Sequence, residues 1–340
     1  MLFTLMGTRP LVDSFGRRVG DLRISITDRC NFRCLYCMPA EGMLWVPRED
    51  ILSFEEIYRI ARICVEDYGF TGLRLTGGEP TVRAQLPLLI ERLSSLVVPD
   101  TGNPVDLAMT TNGATLATMA HDLKKAGLRR VNISLDSLQR ERFAEMTRRD
   151  QLHRVLGGIE AAKEAGFDPV KLNVVVMRGM NDDEVVDFAT FGRENGVTPR
   201  FIEFMPLDAD DAWSFDKVVP SEEIVARIGE VYPVHEVPNG SAPASRYRYL
   251  DGNGEFGAIP TVTKPFCADC DRVRITAEGQ FRTCLFAVEE YDLREILRNG
   301  GSDDVLRGAI ERAVGLKWAG HSIGNVNFHR PERSMSQIGG

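Results

Sequence analysis

The sequence predicts an α/β protein: an incomplete (β/α)6 TIM-like barrel with a smaller C-terminal α+β region covering the barrel mouth. Apolar strand-like runs alternate with amphipathic helix-like stretches over roughly the first two-thirds of the 340 residues, and such alternation gives parallel strands with right-handed crossovers. Six strands with helices between them can be traced, short of the eight of a closed barrel. The motifs that carry chemistry fall at strand ends, where barrel enzymes place their functional loops.

Leu22-Arg23-Ile24-Ser25-Ile26-Thr27 alternates with period two and reads as the first strand. A helix follows from about Ser53 to Tyr68. Ser53 and Glu56 form a capping box, and Ile57, Ile60, Ala61, Cys64 and Val65 recur at helical spacing, which puts Cys64 on the core face. Next come strand Leu73–Thr76, helix Leu86–Leu96, strand Val105–Thr111, helix Leu116–Gly127 and strand Val131–Asp136. Helices Leu138–Arg148 and Val155–Gly166, strand Val170–Val176, helix Asp183–Asn195 and strand Arg200–Phe204 complete the series. After about Pro206 the pattern changes. An acidic stretch and a segment rich in Pro, Gly and Ser precede strand-like runs at Tyr247–Leu250 and Phe256–Ile259, then helices at Tyr291–Arg298 and Ser302–Val314. The chain therefore divides at this point into residues 1–206 and 207–340.

A net charge of −8 argues against a nucleic-acid partner, so an anionic ligand needs a local cationic cluster. No apolar run is long enough to span a bilayer, and no secretory leader is evident. Seven cysteines in clustered spacings argue against a secreted disulfide framework. A cytoplasmic location is expected.

Cys30, Cys34 and Cys37 are spaced C-x3-C-x2-C directly after the first strand. Three thiolates cannot saturate a four-iron cluster, so one iron stays open to a small molecule; a structural zinc would want four closed ligands. Cys267, Cys270 and Cys284 form a second set of three without an obvious fourth ligand, for which a cluster and a zinc site completed by His or water both stand. Just after Cys270, Arg272 and Arg274 share one side of an extended segment. Two guanidiniums beside a metal centre suit an anion, and two solvent-facing arginines are the alternative.

The first spacing, with Tyr36 before its last cysteine, resembles the signature of the radical S-adenosylmethionine (SAM) superfamily. Together with the second set and its arginine pair, the chain resembles the GTP 3′,8-cyclases within it. The stretches carrying this resemblance are Asp21–Asn31, Leu75-Thr76-Gly77-Gly78-Glu79-Pro80, Asn181–Glu184, Phe201–Pro206 and the terminal Gly339-Gly340. The resemblance implies two [4Fe-4S] clusters, one on each cysteine set, and SAM lined by Tyr36, Gly78, Ser134 and Met205, with Glu79 near its ammonium group. It also implies GTP contacts from Arg23, Arg74, Thr110, Lys171, Arg272, Val273 and Arg274, with Arg200 beside them. Arg272, Arg274, Gly339 and Gly340 would serve the reaction, in which a 5′-deoxyadenosyl radical removes the ribose 3′ hydrogen of GTP and C3′ bonds to guanine C8. The implied partners are a low-potential electron donor of flavodoxin or ferredoxin type, a downstream cyclic pyranopterin monophosphate synthase, and a second copy in a homodimer. A radical SAM peptide maturase is the competing enzyme reading, and a zinc- or cluster-bearing binding module for GTP or RNA the non-enzymatic one.

Overall fold

The computed structural model describes residues 8–208, 210, 212–238, 242–324 and 328–339. Its frame is one mixed sheet of twelve strands. Strands β1 (Asp21–Ser25), β2 (Gly72–Thr76), β3 (Asp106–Thr111), β4 (Arg130–Ser134), β5 (Lys171–Val176) and β6 (Thr198–Glu203) lie side by side in chain order, each parallel to the next. Helices α1 (Phe54–Arg62), α2 (Leu86–Ser94), α3 (Ala120–Lys125), α4 (Arg140–Thr147), α5 (Leu152–Glu164) and α6 (Val185–Asn195) connect them, and α7 (Ser221–Val231) follows β6.

The C-terminal third extends both edges of this row with β7 (Val234–Val237), β8 (Ser245–Tyr249), β9 (Glu255–Ile259), β10 (Arg272–Ile275), β11 (Gln280–Arg282) and β12 (Tyr291–Asp292). Strand β9 runs parallel to β6, and β10 runs parallel to β1 at the far edge. The parallel row is therefore eight strands long, not six. It stays open, because β9 turns to antiparallel β8 and β10 to antiparallel β11. Helices α8 (Leu293–Arg298), α9 (Asp303–Gly315) and α10 (Met335–Ile338) close the chain. One continuous apolar core runs from Leu11 to Val314, so the C-terminal region shares the apolar layer between sheet and helices.

A parallel sheet covered on both faces normally reads as unbroken apolar runs. Here the strands alternate. Leu22, Ile24, Leu73, Leu75, Leu107, Met109, Val131, Ile133, Leu172, Val174 and Phe201 are buried in the core. Of the residues between them, Arg23, Arg74, Asn132 and Asn173 carry charge or amide groups and only Ala108 does not, so the other face lines a polar interior.

The capping box of α1 forms: Ser53 Oγ accepts from Glu56 N at 3.1 Å, and Ser53 N donates to Glu56 Oε2 at 2.7 Å. The helix then widens into a π turn over Ile63–Asp67, which buries Cys64 completely in the core. Helix α3 starts later than the periodicity predicts, because Leu116–Thr118 forms a separate 3-10 turn. Helix α7 is not evident in the sequence pattern; its buried face is only Ser221, Ile224 and Ile228. Among the described residues no helix is long and apolar enough to cross a membrane.

Candidate active site

The inner face of the parallel row carries the site. Register places Arg274 opposite Arg23, Arg23 opposite Arg74, Arg74 opposite Ala108, and Ala108 opposite Arg130. Farther along, Lys171 pairs with Asn132 and Arg200 with Asn173. Paired residues of parallel strands face the same side, and so do residues two apart on one strand. Seven cations, Arg23, Arg74, Arg130, Lys171, Arg200, Arg272 and Arg274, thus share one face. Thr110 and Ser134 stand on it as well.

Like charges held together out of water disfavour their own charged forms. Burial, then Arg274 and Arg272, hold the Arg23 guanidinium well below its ordinary value. Arg274 falls to about 10 through burial and Arg272, and Arg200 to about 10 through burial, Arg74 and Arg130. Lys171 falls to about 8 through burial, Arg200, Arg130 and Arg74. Two carboxylates offset the row: Asp21 pairs with Arg74 at 2.9 Å, and Asp106 pairs with Arg130. Arg200 donates to Asn173 Oδ1 at 3.0 and 3.2 Å. Among the described residues, Arg23 Nε and Arg272 Nε and Nη2 are buried with no hydrogen-bond acceptor. Such a face suits a polyanion with several oxygens.

The structure separates Val273 from this group. Its side chain is fully buried in the apolar core on the opposite face of β10, so any contact with a ligand on the inner face comes from its main chain. Arg130 escaped the sequence reading. It follows exposed Arg129 at a helix exit, where paired arginines read as surface charge, and only the alternation Arg130-Val131-Asn132-Ile133 could have signalled its direction.

The first cysteine loop leaves the C-terminal end of β1. Cys37 N and Met38 N both donate to Cys34 O at 3.0 Å. Burial pushes the Cys30 thiol up to about 11 and the Cys37 thiol to about 12, and Cys34 lies well above its ordinary value. Cys37, Asp136 and Cys30 add to the effect of burial at Cys34, so the three thiols lie near one another. An iron–sulfur cube spreads its cysteines over different irons and leaves one iron open, so a set of three neighbouring thiols fits it, whereas a structural zinc takes four closed ligands. Tyr36 OH donates to Asp136 Oδ2 at 2.6 Å, which fixes the ring between two of the cysteines.

Gly77 and Gly78 bring β2 against this loop. A Cβ on Gly77 would lie 2.5 Å from Thr27 O, and one on Gly78 only 2.4 Å from Arg29 O and 2.5 Å from Asp28 O. Glu79, expected near a ligand ammonium, also accepts from protein donors. Its Oε1 accepts from Thr81 N at 3.1 Å, Thr81 Oγ1 at 2.6 Å and Thr111 Oγ1 at 2.6 Å, and its Oε2 accepts from Asn112 N at 2.6 Å. Asn112 Nδ2 in turn donates to Asn31 Oδ1 at 2.7 Å and lies 3.9 Å from Cys30 Sγ. Met205 is half-buried beside Leu207, Phe286 and Ile338.

The second cysteine set lies at the other end of the strands. Arg272 of β10 pairs with Asp21, the first residue of β1, so Cys270 precedes the strand start while Cys30 follows the end of β1. Cys284 joins it because β11 runs back antiparallel. Burial raises Cys270, but Lys317, Arg272 and nearby main-chain hydrogen bonding outweigh it and leave this thiol below its ordinary value.

The C-terminal tail returns to the first end. Ser336 Oγ donates to Cys37 O at 3.4 Å, and Arg274 Nη1 donates to Gly339 O at 2.7 Å. Gly339 adopts φ +85°, and a Cβ there would lie 2.8 Å from Thr76 Oγ1 and 2.9 Å from the Ser25 side chain. Gly340 lies outside the described residues. A Gly339→Val substitution is therefore expected to unseat the tail and reduce turnover severely. Since α10 is one short terminal turn, stability should stay within about 0.5 kcal/mol. Urea unfolding beside an activity assay checks both, and normal turnover with a seated valine would refute it.

Comparison with known proteins agrees with this layout. Residues 24–192 match the model of the radical SAM superfamily, and residues 197–323 match that of Molybdenum Cofactor Synthesis C. The chain is 47% identical over 335 residues to the GTP 3′,8-cyclase of Mycobacterium sp. (strain KMS), covering 98% of this chain and 94% of the relative. It is 46% identical to that of Corynebacterium glutamicum, over 98% and 90%. The chain belongs to the GTP 3′,8-cyclase family. Its backbone also resembles that of Streptococcus suis SuiB bound to S-adenosylmethionine, with a TM-score of 0.59 at 15% identity over 94% of this chain and 77% of that one. At this identity the likeness concerns the fold, a partial barrel. Membership in the radical SAM superfamily brings with it a [4Fe-4S] cluster and SAM.

Proposed function

We propose that this chain is the radical SAM enzyme that converts GTP to 3′,8-cyclo-7,8-dihydro-GTP in molybdenum cofactor biosynthesis. The observation that carries this reading is the row of seven cations on one inner face, with a three-cysteine set beyond each end of its strands. Residues 1–206 supply the (β/α)6 partial barrel. Residues 207–340 supply β9 and β10, the second cysteine set and the glycine tail, and cover the barrel openings.

Cys30, Cys34 and Cys37 hold the first cluster, and Tyr36, Gly78, Ser134 and Met205 border SAM. When bound, this pair supplies a 5′-deoxyadenosyl radical. The chain's own residues orient GTP and keep water away. Arg23, Arg74, Lys171, Arg200, Arg272 and Arg274 neutralise the triphosphate and fix the ribose so that its 3′ hydrogen is presented and C3′ can reach guanine C8. Thr110 adds a neutral donor. Cys267, Cys270 and Cys284 hold a second [4Fe-4S] cluster on the base side, and Gly339 and Gly340 complete the site. A low-potential electron carrier, a downstream synthase acting on the cyclised product, a cytoplasmic location and a homodimer fit this reading.

The test is an anaerobic assay of the reconstituted protein with SAM, dithionite and GTP deuterated at C3′. Deuterium is expected in 5′-deoxyadenosine. SAM cleavage without transfer, with GTP bound and clusters intact, would remove GTP cyclisation as the function.

A further inference from the structure

The second cysteine set is held from behind by two cations, buried Lys317 and half-buried Arg17, that the sequence pattern does not single out. Helix α9 is capped by Ser302, and Leu306, Ile310, Ala313 and Val314 bury it in the core. Lys317, two residues past its end, is only 3% exposed. Its Nζ donates to Arg272 O at 2.8 Å and Thr283 O at 2.5 Å, and lies 3.8 Å from Cys270 Sγ. These three acceptors match the three N–H groups of an ammonium. None is a carboxylate. A buried ammonium without a carboxylate partner is unfavourable unless other negative charge lies close, and the sulfurs of Cys270 and Cys284 are that charge when ionised.

Arg17 holds the third cysteine. Asp13 fixes its guanidinium at 2.6 Å. Arg17 Nη1 then donates to Cys267 O at 2.6 Å and Ala319 O at 2.7 Å, and Nη2 to Trp318 O. The segment carrying Lys317 is thus pinned to the loop of Cys267. Each cysteine is tied to this clamp: Cys267 through its carbonyl, Cys270 through its sulfur, Cys284 through the preceding carbonyl. Lys317 also holds the main chain of Arg272, which begins the cationic face.

We propose that Lys317 is a positioning residue of the second cluster, which supplies the positive charge that sets the cluster's reduction potential and the register of Arg272 against it. This rests on the reading that Cys267, Cys270 and Cys284 hold a cluster. A cation beside a cluster stabilises its reduced, more negative form, and hydrogen bonds to the ligand sulfurs act in the same direction. Removing the charge should therefore make the potential more negative.

The experiment uses the full chain with Cys30, Cys34 and Cys37 replaced by alanine, so that only the second cluster gives a signal. Iron content and an EPR-monitored redox titration are compared for this parent and for the same protein carrying Lys317→Gln or Lys317→Arg. The expected result is full iron in the parent and a negative shift of its midpoint in Lys317→Gln. Lys317→Arg should stay near the parent value. Iron loss in Lys317→Gln with retention in Lys317→Arg supports the same role. An unchanged midpoint in an iron-loaded Lys317→Gln protein overturns the proposal and leaves the cluster reading standing, as does iron loss from both variants. A parent without iron overturns the cluster reading itself, and the proposal with it.

Discussion

Replacing Glu79 by alanine is expected to destabilise the protein by about 4 kcal/mol, the upper range for a single substitution, and to abolish SAM cleavage. The carboxylate is 1% exposed and accepts from two main-chain N–H groups and two hydroxyls. Alanine leaves those donors buried without acceptors, each costing on the order of 1–3 kcal/mol before relaxation. It also frees Asn112, which braces Asn31 and the sulfur of Cys30. Burial holds the Glu79 pKa above the usual carboxylate value despite these donors, so glutamine should be milder. Urea unfolding of wild type, Glu79→Gln and Glu79→Ala gives the stability, and 5′-deoxyadenosine release gives the chemistry. A loss under about 1 kcal/mol in Glu79→Ala would show that the strut is dispensable.

Polyphosphate binding is expected to take up a proton above pH 8 and to weaken as pH rises further. Lys171 has a value of about 8 in the ligand-free fold because burial and Arg200, Arg130 and Arg74 oppose its charge. In the unfolded chain it keeps its proton to about pH 10.4. Between these values the unfolded state binds more protons, so this group makes ligand-free stability rise with pH through that window. An anion laid across the cations reverses the preference and raises the lysine's pKa. Affinity for GTP should then fall by up to about tenfold per pH unit above 8, until the bound-state value is reached. Calorimetry at pH 8.5 in two buffers of different ionisation enthalpy measures the proton uptake. Lys171→Met, which shares every other ionisation including the ligand's own, should lose it. Equal uptake in both proteins would assign the proton elsewhere.

The barrel strands are legible because their two faces differ so sharply. Leu22 and Ile24 flank Arg23, and Leu73 and Leu75 flank Arg74, so period two is unmistakable and the inward cations follow from it. The added parallel edges are not legible. Strand β10 lies beside β1 although some 250 residues separate them, and nothing local in Arg272–Ile275 names that partner. For the same reason the motif around Cys267 and Cys270 could not reveal that it opens at the opposite end of the strands from Cys30. Lys317 lies beyond a helix end in a stretch without pattern, and its importance comes wholly from what tertiary packing brings to it. Glu79 shows the converse: its motif signals a ligand contact, and only packing reveals the four donors that also make it a brace.

The pairing of β10 with β1 turns the sheet into a measuring device. Cys270 lies two residues before β10, at a level six residues short of the end of β1 at Ser25, and parallel strands rise about 3.3 Å per residue, so roughly 20 Å of sheet separates it from the start of the Cys30 loop. The strand ladder fixes that interval, and no loop movement can shorten it. A free base or a lone sugar cannot engage both ends at once. An extended molecule with one chemistry at each end can.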